Sequence, residues 1–206
     1  MSLEQNQEAA LGQPFSSRVL SNKLITGHCS LTLDPNTCNG WLNLFDDNRK
    51  ATCGPKREYP DNPQRFDCQT QVLCEQALTG RHYFEVEWST GSQNKVGVAL
   101  AYKTMDRKGK NVASSFGENP ASWYFGVDNN ELSAWHNGKI WSTSVPAEGC
   151  SRFGVYLDWP RGSLSFYQVS SSILTHMYTF KATFTEPLYP GVYVYYESNF
   201  ASFSPM

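Results

Sequence analysis

Arg81–Trp88 reads RHYFEVEW. Phe84, Val86 and Trp88 recur at every second residue, with Glu85 and Glu87 between them. That is the period of a strand with one face on a core and the other in water. A helix would scatter the same side chains around its circumference. Lys95–Tyr102 (KVGVALAY) is nearly continuous in apolar residues and reads as a more deeply buried strand. Ser122–Val127, Leu132–His136 and Lys139–Ser142 follow at short intervals. Asn137-Gly138 joins the last two, and both residues tolerate the positive φ of a type I′ hairpin turn. Asp128-Asn129-Asn130 makes the preceding turn by similar chemistry. Arg152–Leu157 and Ser163–Val169 flank a further hairpin at Asp158–Gly162. His176–Phe180 and Val192–Tyr196 complete about a dozen strands with almost no helical periodicity, the pattern of an antiparallel β-sandwich or barrel. No internal repeat of propeller or solenoid length is present.

Composition agrees. The 206 residues are 14% aromatic, with 15 Gly and 11 Pro, which fits many short elements joined by turns around large buried rings. A net charge of −2 disfavours general nucleic-acid binding. The best apolar run, Val96–Tyr102, is strand-length, so no membrane association is expected. The N-terminus lacks the basic and apolar regions of a signal peptide. Glu4–Leu11 has the composition of a short helix ended by Gly12, Gln13 and Pro14, and residues 1–28 read as a leader or linker. Cys29, Cys38, Cys53, Cys68, Cys74 and Cys150 show no zinc-type spacing, and no Asn-X-Ser/Thr site accompanies them. They read as reduced thiols, mostly small buried hydrophobes, in a cytoplasmic protein.

No catalytic pattern emerges. Nucleophile elbows, phosphate loops, dinucleotide fingerprints and His-Glu-X-X-His are all missing. His82 and His136 fall in expected strands as half-buried, hydrogen-bonded side chains, and His28 and His176 carry no motif. Glu85 and Glu87 sit roughly 7 Å apart on one strand face, a spacing that would suit a glycosidase, but they read as the solvated side of the strand. Arg107, Lys108 and Lys110 form a small basic cluster in Ala101–Pro120, a polar stretch expected to be a long loop. The expectation is therefore no catalytic residue, no cofactor and no metal.

Several motifs together carry a family resemblance. LTLDPNT (Leu31–Thr37) with Asn48-Arg49-Lys50, and YPDNPQRFD (Tyr59–Asp67), look like a PRY segment. Val72-Leu73-Cys74 and LTGRHYFEVEW (Leu78–Trp88) resemble the start of a SPRY segment. Val96-Gly97-Val98, Arg107-Lys108-Gly109, Ser122-Trp123, VYLD (Val155–Asp158), LSFY (Leu164–Tyr167) and PLYPG (Pro187–Gly191) follow in the family's order. Phe84 stands where the family usually has Trp.

The resemblance implies one PRY-SPRY domain over 29–206, with PRY at about 29–80 and SPRY at about 81–204. Its fold is a bent antiparallel β-sandwich of the concanavalin-like jelly-roll type, of about thirteen strands. It also implies a protein-interaction module like those ending tripartite-motif ubiquitin ligases, butyrophilins, fish NOD-like receptors and stonustoxin-type proteins. Such a module would recognise a target protein for ubiquitin transfer or innate immunity, with ligase activity residing in a RING domain this sequence lacks. The isolated domain is expected to be a monomer. The loops that resemble the family's binding loops carry Asn39 (Thr37–Gly40), Lys56 and Arg57 (Ala51–Pro60), and Arg107, Lys108 and Lys110 (Lys103–Pro120). Two more carry Asp128 and Asn129 (Asp128–Glu131), and Tyr193 and Tyr195 (Val192–Ser198). Alternation puts Tyr193 and Tyr195 on one face, near Tyr124. Gly126 and Asp128 stand where some members place tryptophans, which speaks against the antibody-binding type of pocket. Two alternatives follow from the same resemblance: a membrane-active stonustoxin-like domain, and a butyrophilin-like sensor of phosphorylated ligands using His82 and Arg107-Lys108.

Overall fold

The computed structural model describes residues 30–89, 93–146, 150–171 and 173–205, together with the backbone of 15–16. Its strands are β1 (Phe15–Ser16), β2 (Leu42–Phe45), β3 (Lys50–Cys53), β4 (Gln71–Leu73), β5 (Arg81–Trp88), β6 (Lys95–Tyr102) and β7 (Ser122–Asp128). They continue with β8 (Glu131–His136), β9 (Lys139–Ser144), β10 (Arg152–Asp158), β11 (Ser163–Ser170), β12 (Ile173–Lys181), β13 (Leu188–Val194) and β14 (Phe200–Phe203). They form two antiparallel sheets. The larger has the order β1-β12-β11-β10-β5-β14-β3-β2, and the smaller β4-β13-β6-β7-β8-β9. The first strands after residue 40 enter both sheets, so the N-terminal third shares the sandwich with the rest.

The core lies between the sheets. Phe84, Val86 and Trp88 face inward from β5, meeting Val96, Val98 and Leu100 of β6 and Phe125 of β7. Trp88 stacks on Phe153 at 5.1 Å, and Phe125 on Phe166 at 4.9 Å. Glu85 and Glu87, on the opposite face of β5, are both held by Arg152 of the neighbouring β10, at 3.3 and 2.6 Å. They are a cross-strand ion triad, which accounts for the alternation without a catalytic role. Asn137 and Gly138 both have positive φ (49° and 75°), as do Asn129 and Asn130 (48° and 67°), so both tight hairpins turn as their sequences require.

Some expectations shift. Val192–Tyr196 was expected as a strand. The strand runs Leu188–Val194 instead, through Pro190 and Gly191, and Tyr195 and Tyr196 lie beyond its end. Pro190 has no N–H to donate, and its carbonyl takes the Cys74 N–H at 2.7 Å. Within the region read as leader, Phe15–Ser16 pairs with Leu174 and Ile173 at the edge of the larger sheet. The Glu4–Leu11 helix and Cys29 lie outside the described residues. Cys38, Cys53, Cys68, Cys74 and Cys150 are free thiols, with Cys38, Cys74 and Cys150 buried. Burial pushes the Cys38 thiol up to about 12 and Cys150 up to about 11, so both stay protonated.

Candidate recognition groove

The outer face of the smaller sheet is built by the other half of each strand's alternation. Ala99 and Ala101 of β6, Leu73 of β4 and Tyr193 of β13 point away from the core. With Phe66, Met105 and Phe116 they form a second apolar cluster. The segment between β6 and β7, expected as an open polar loop, folds down onto this face. Met105, Ser114, Phe116 and Asn119 are buried in it. Phe116 N–H donates to Gln71 Oε1 at 2.8 Å, and Gln71 Nε2 donates to Ser114 O at 3.0 Å. Asn119 Nδ2 gathers the carbonyls of Val112, Ala113 and Ser115. Each short polar side chain thus satisfies a backbone group that strand pairing would otherwise serve, which is how an irregular segment can be buried.

Tyr124 of β7 forms part of the groove floor. Its ring lies flat over Gly97 and Gly126, in space that a Cβ at either position would fill. These two glycines are therefore the seat of the ring. Tyr193 meets Tyr124 edge-on at 6.2 Å and stacks on Tyr195 at 6.2 Å, and Tyr195 meets Tyr196 at 5.1 Å. Burial, then the neighbouring Tyr193 and Asp128, pushes the Tyr124 phenol well up. Burial also raises Tyr193. Both phenols remain protonated at neutral pH.

Above this floor opens a groove of about 1010 Å³. At one end stand Trp41, Cys53, Tyr195, Tyr196 and Glu197. Backbone ties hold that end together: Cys53 Sγ donates to Tyr195 O at 3.0 Å, and Gly54 N–H donates to Trp41 O at 3.0 Å. The lining also includes Lys110, Val112, Phe116, Glu118 and Trp135. Trp41 and Tyr195 are 47% and 50% exposed, large rings left open to solvent.

Of the residues expected at a binding surface, the structure brings Lys110, Asp128, Tyr193 and Tyr195 into this groove. It does not bring the others. Asn39 is fully buried; its side chain accepts from Trp41 N–H and donates to Phe66 O, so it shapes a turn and presents nothing to a partner. Arg107 is also buried. Its guanidinium donates to Met105 O and Lys103 O and lies 4.9 Å over the Phe66 ring. Burial lowers its pKa to about 10, still far above neutrality. It is a structural cation spent inside its own segment. Lys108 pairs with Asp61 at 2.6 Å. Lys56, Arg57 and Asn129 are exposed but outside the groove. His82 contacts Thr79 O at 2.6 Å within its own turn on the larger sheet. With Arg107 committed to carbonyls, the pair expected for a phosphorylated ligand does not converge. Sequence reasoning named the loops that hold Val112, Glu118 and Glu197 without singling out those residues, and it missed Trp41 and Trp135. Trp41 directly follows an expected binding loop, but no residue pattern tells an open tryptophan from a core one.

Two family models match the chain: the SPRY-associated PRY domain over residues 31–78 and the SPRY domain over 81–204. The chain belongs to the PRY-SPRY family. Relatives of this PRY-SPRY chain include neoverrucotoxin subunit alpha of Synanceia verrucosa, 43% identical over 79% of this chain and 23% of the toxin. Tripartite motif-containing protein 16 of Mus musculus is 37% identical over 83% of this chain and 30% of that protein. The stonustoxin structure superposes with a TM-score of 0.77 at 36% identity, covering 85% of this chain and 29% of that one. The TRIM65 PSpry domain superposes at 0.75 and 28% identity, covering 85% and 90%. The chain therefore spans less than a third of the length of these curated relatives. A PRY-SPRY sandwich of this kind is a protein-interaction module.

Proposed function

We propose that this domain selects a target protein through the groove on its smaller sheet. It would act as the substrate-recognition part of a tripartite-motif-type ubiquitin ligase or of an innate immune receptor, in the cytoplasm and as a monomer. One observation carries the reading: half-exposed Trp41 and Tyr195 stand over an ordered aromatic floor, on a sheet whose other face is core. Large rings with few rotatable bonds give contact area at low entropy cost, which is why they anchor interfaces. The rigid β-scaffold fixes where they stand.

Catalysis has less support. Glu85 and Glu87 are tied to Arg152, and among the described residues no group of His, Cys, Asp and Glu is arranged to hold a metal. A membrane role is suggested by the toxin relatives alone. No helix among the described residues is long and apolar enough to cross a membrane.

The test is a paired capture. The chain and its Trp41→Ala/Tyr195→Ala variant are immobilised after thermal melts show both folded. Cell lysate is passed over each, and retained proteins are identified by mass spectrometry. The reading requires a protein held by the parent and lost by the variant. Equal retention moves the interface off the groove and refutes it.

A further inference from the structure

The groove's charge and its rings point to one class of ligand. Four carboxylates line it, from Asp67, Glu118, Asp128 and Glu197, against two lysines, Lys95 and Lys110. Lys95 is already spent: its Nζ lies 3.0 Å from Asp128 Oδ2 and 5.6 Å from the centre of the Tyr195 ring. The other three carboxylates have no ion-pair partner among the described residues. Asp67 accepts the Gly109 N–H and Glu118 the Ser115 hydroxyl, neutral donors that leave each charge in place. Lys110 alone faces them. The open groove thus carries a surplus of negative charge beside exposed aromatic faces.

A second observation lies in the floor. Thr70 is more than nine-tenths buried and lines the groove. Its Oγ1 lies against the Tyr193 phenol, a hydrogen-bond contact that opposes the rise of that phenol's pKa, and makes no other hydrogen bond among the described residues. A buried hydroxyl that donates to a neighbouring phenol still has acceptor capacity for a group brought in by a ligand or water. As an acceptor it would take an N–H brought in by a ligand.

We infer that the groove takes a cationic segment of its protein partner, with an arginine or lysine placed at the Trp41–Tyr195–Glu197 end. The inference rests on the groove being the recognition site. Aromatic faces attract cations through their ring quadrupole, and arginine adds stacking. The chain already shows this chemistry in miniature, because Lys95 occupies the neighbourhood of both Tyr195 and Asp128. Lys95 acts as an internal stand-in that a ligand's cation supplements or displaces. Phosphorylated ligands and nucleic acid are disfavoured here, since they would meet Asp67, Glu118 and Glu197 with Lys110 alone to offset them.

The test uses the whole chain and an array of nine-residue peptides whose central residue is Arg, Lys, Gln or Glu within otherwise neutral, aromatic-containing flanks. The inference predicts selection of Arg and Lys centres. Binding should weaken about three- to ten-fold in Glu197→Gln and fall as salt rises. Lys95→Met keeps the apolar stem, frees Asp128 and Tyr195, and should strengthen binding about three-fold. That gain is what a merely structural Lys95 would not produce. Both changes are at solvent-accessible side chains, and thermal melts confirm folding. Selection of Gln or Glu centres, or binding that Tyr195→Ala abolishes but Glu197→Gln and Lys95→Met leave unchanged, overturns the cationic class while leaving the groove as the recognition site. Failure of every peptide to bind overturns the inference too. If Trp41→Ala/Tyr195→Ala also leaves target capture unchanged, the reading beneath it falls as well.

Discussion

A glycine can be a binding-site residue without touching a ligand. Gly97 and Gly126 have no side chain, yet they decide whether Tyr124 can lie flat and floor the groove. At Gly97 the atoms nearest an added Cβ all belong to Tyr124. Gly97→Ala should therefore destabilise the fold by about 1–3 kcal/mol through overpacking. Adding Tyr124→Ala should recover much of that loss, since the obstruction is removed; a denaturant double-mutant cycle reads the coupling. The same seat explains why a tryptophan at position 126 does not fit this chain: the Tyr124 ring already fills that space. Arg107 illustrates the opposite lesson. In the sequence it is one of three cations in a polar stretch, with nothing to mark it as buried. Its contacts predict that Arg107→Ala lowers stability by about 1–3 kcal/mol, because Met105 and Lys103 lose charged donors and Phe66 loses its cover. Lys108→Ala, at an exposed ion pair, should change a thermal melt little.

At the scale of elements, strands were legible and the segment from Lys103 to Ala121 was not. Period-two alternation places β5 to the residue, a nearly continuous apolar run places β6, and Asn-Gly chemistry marks the β8–β9 turn. Those signals are local, so a sequence carries them openly. The 103–121 segment is fixed by distant partners, chiefly Gln71, Asp67 and Phe66, and its polar composition hides its burial. Turns make a quantitative comparison. Gly138 has φ 75° and open space around it, so Gly138→Ala costs only the strained backbone, about 1 kcal/mol. Gly162 has φ 62°, and a Cβ there would run into the Ala182 carbonyl. Gly162→Ala should lower the melting temperature clearly more than Gly138→Ala. Equal losses would show that the β10–β11 turn relaxes freely.

The whole molecule is a sandwich whose faces have separate tasks: one face of each sheet makes the core, and the outer face of the smaller sheet makes the groove. Two histidines tie its stability to pH. Burial lowers the pKa of His136, stacked 4.5 Å from Trp123 and bonded to Ser122 O, and of His176, bonded to Thr179. A depressed folded-state pKa means the unfolded chain takes up protons first. Their contribution is present above about pH 6.5 and is lost as pH falls below it. The melting temperature should drop on acidification through that range, and less steeply in His136→Phe. The division of faces has its most direct test at Cys68, an exposed thiol in the groove wall; Cys53, which also lines the groove, is half-buried. A bulky maleimide on Cys68 should block the groove without disturbing the core. The account predicts that target capture is lost after modification of the parent and kept after the same treatment of Cys68→Ser. Capture that survives full modification of Cys68 would contradict it.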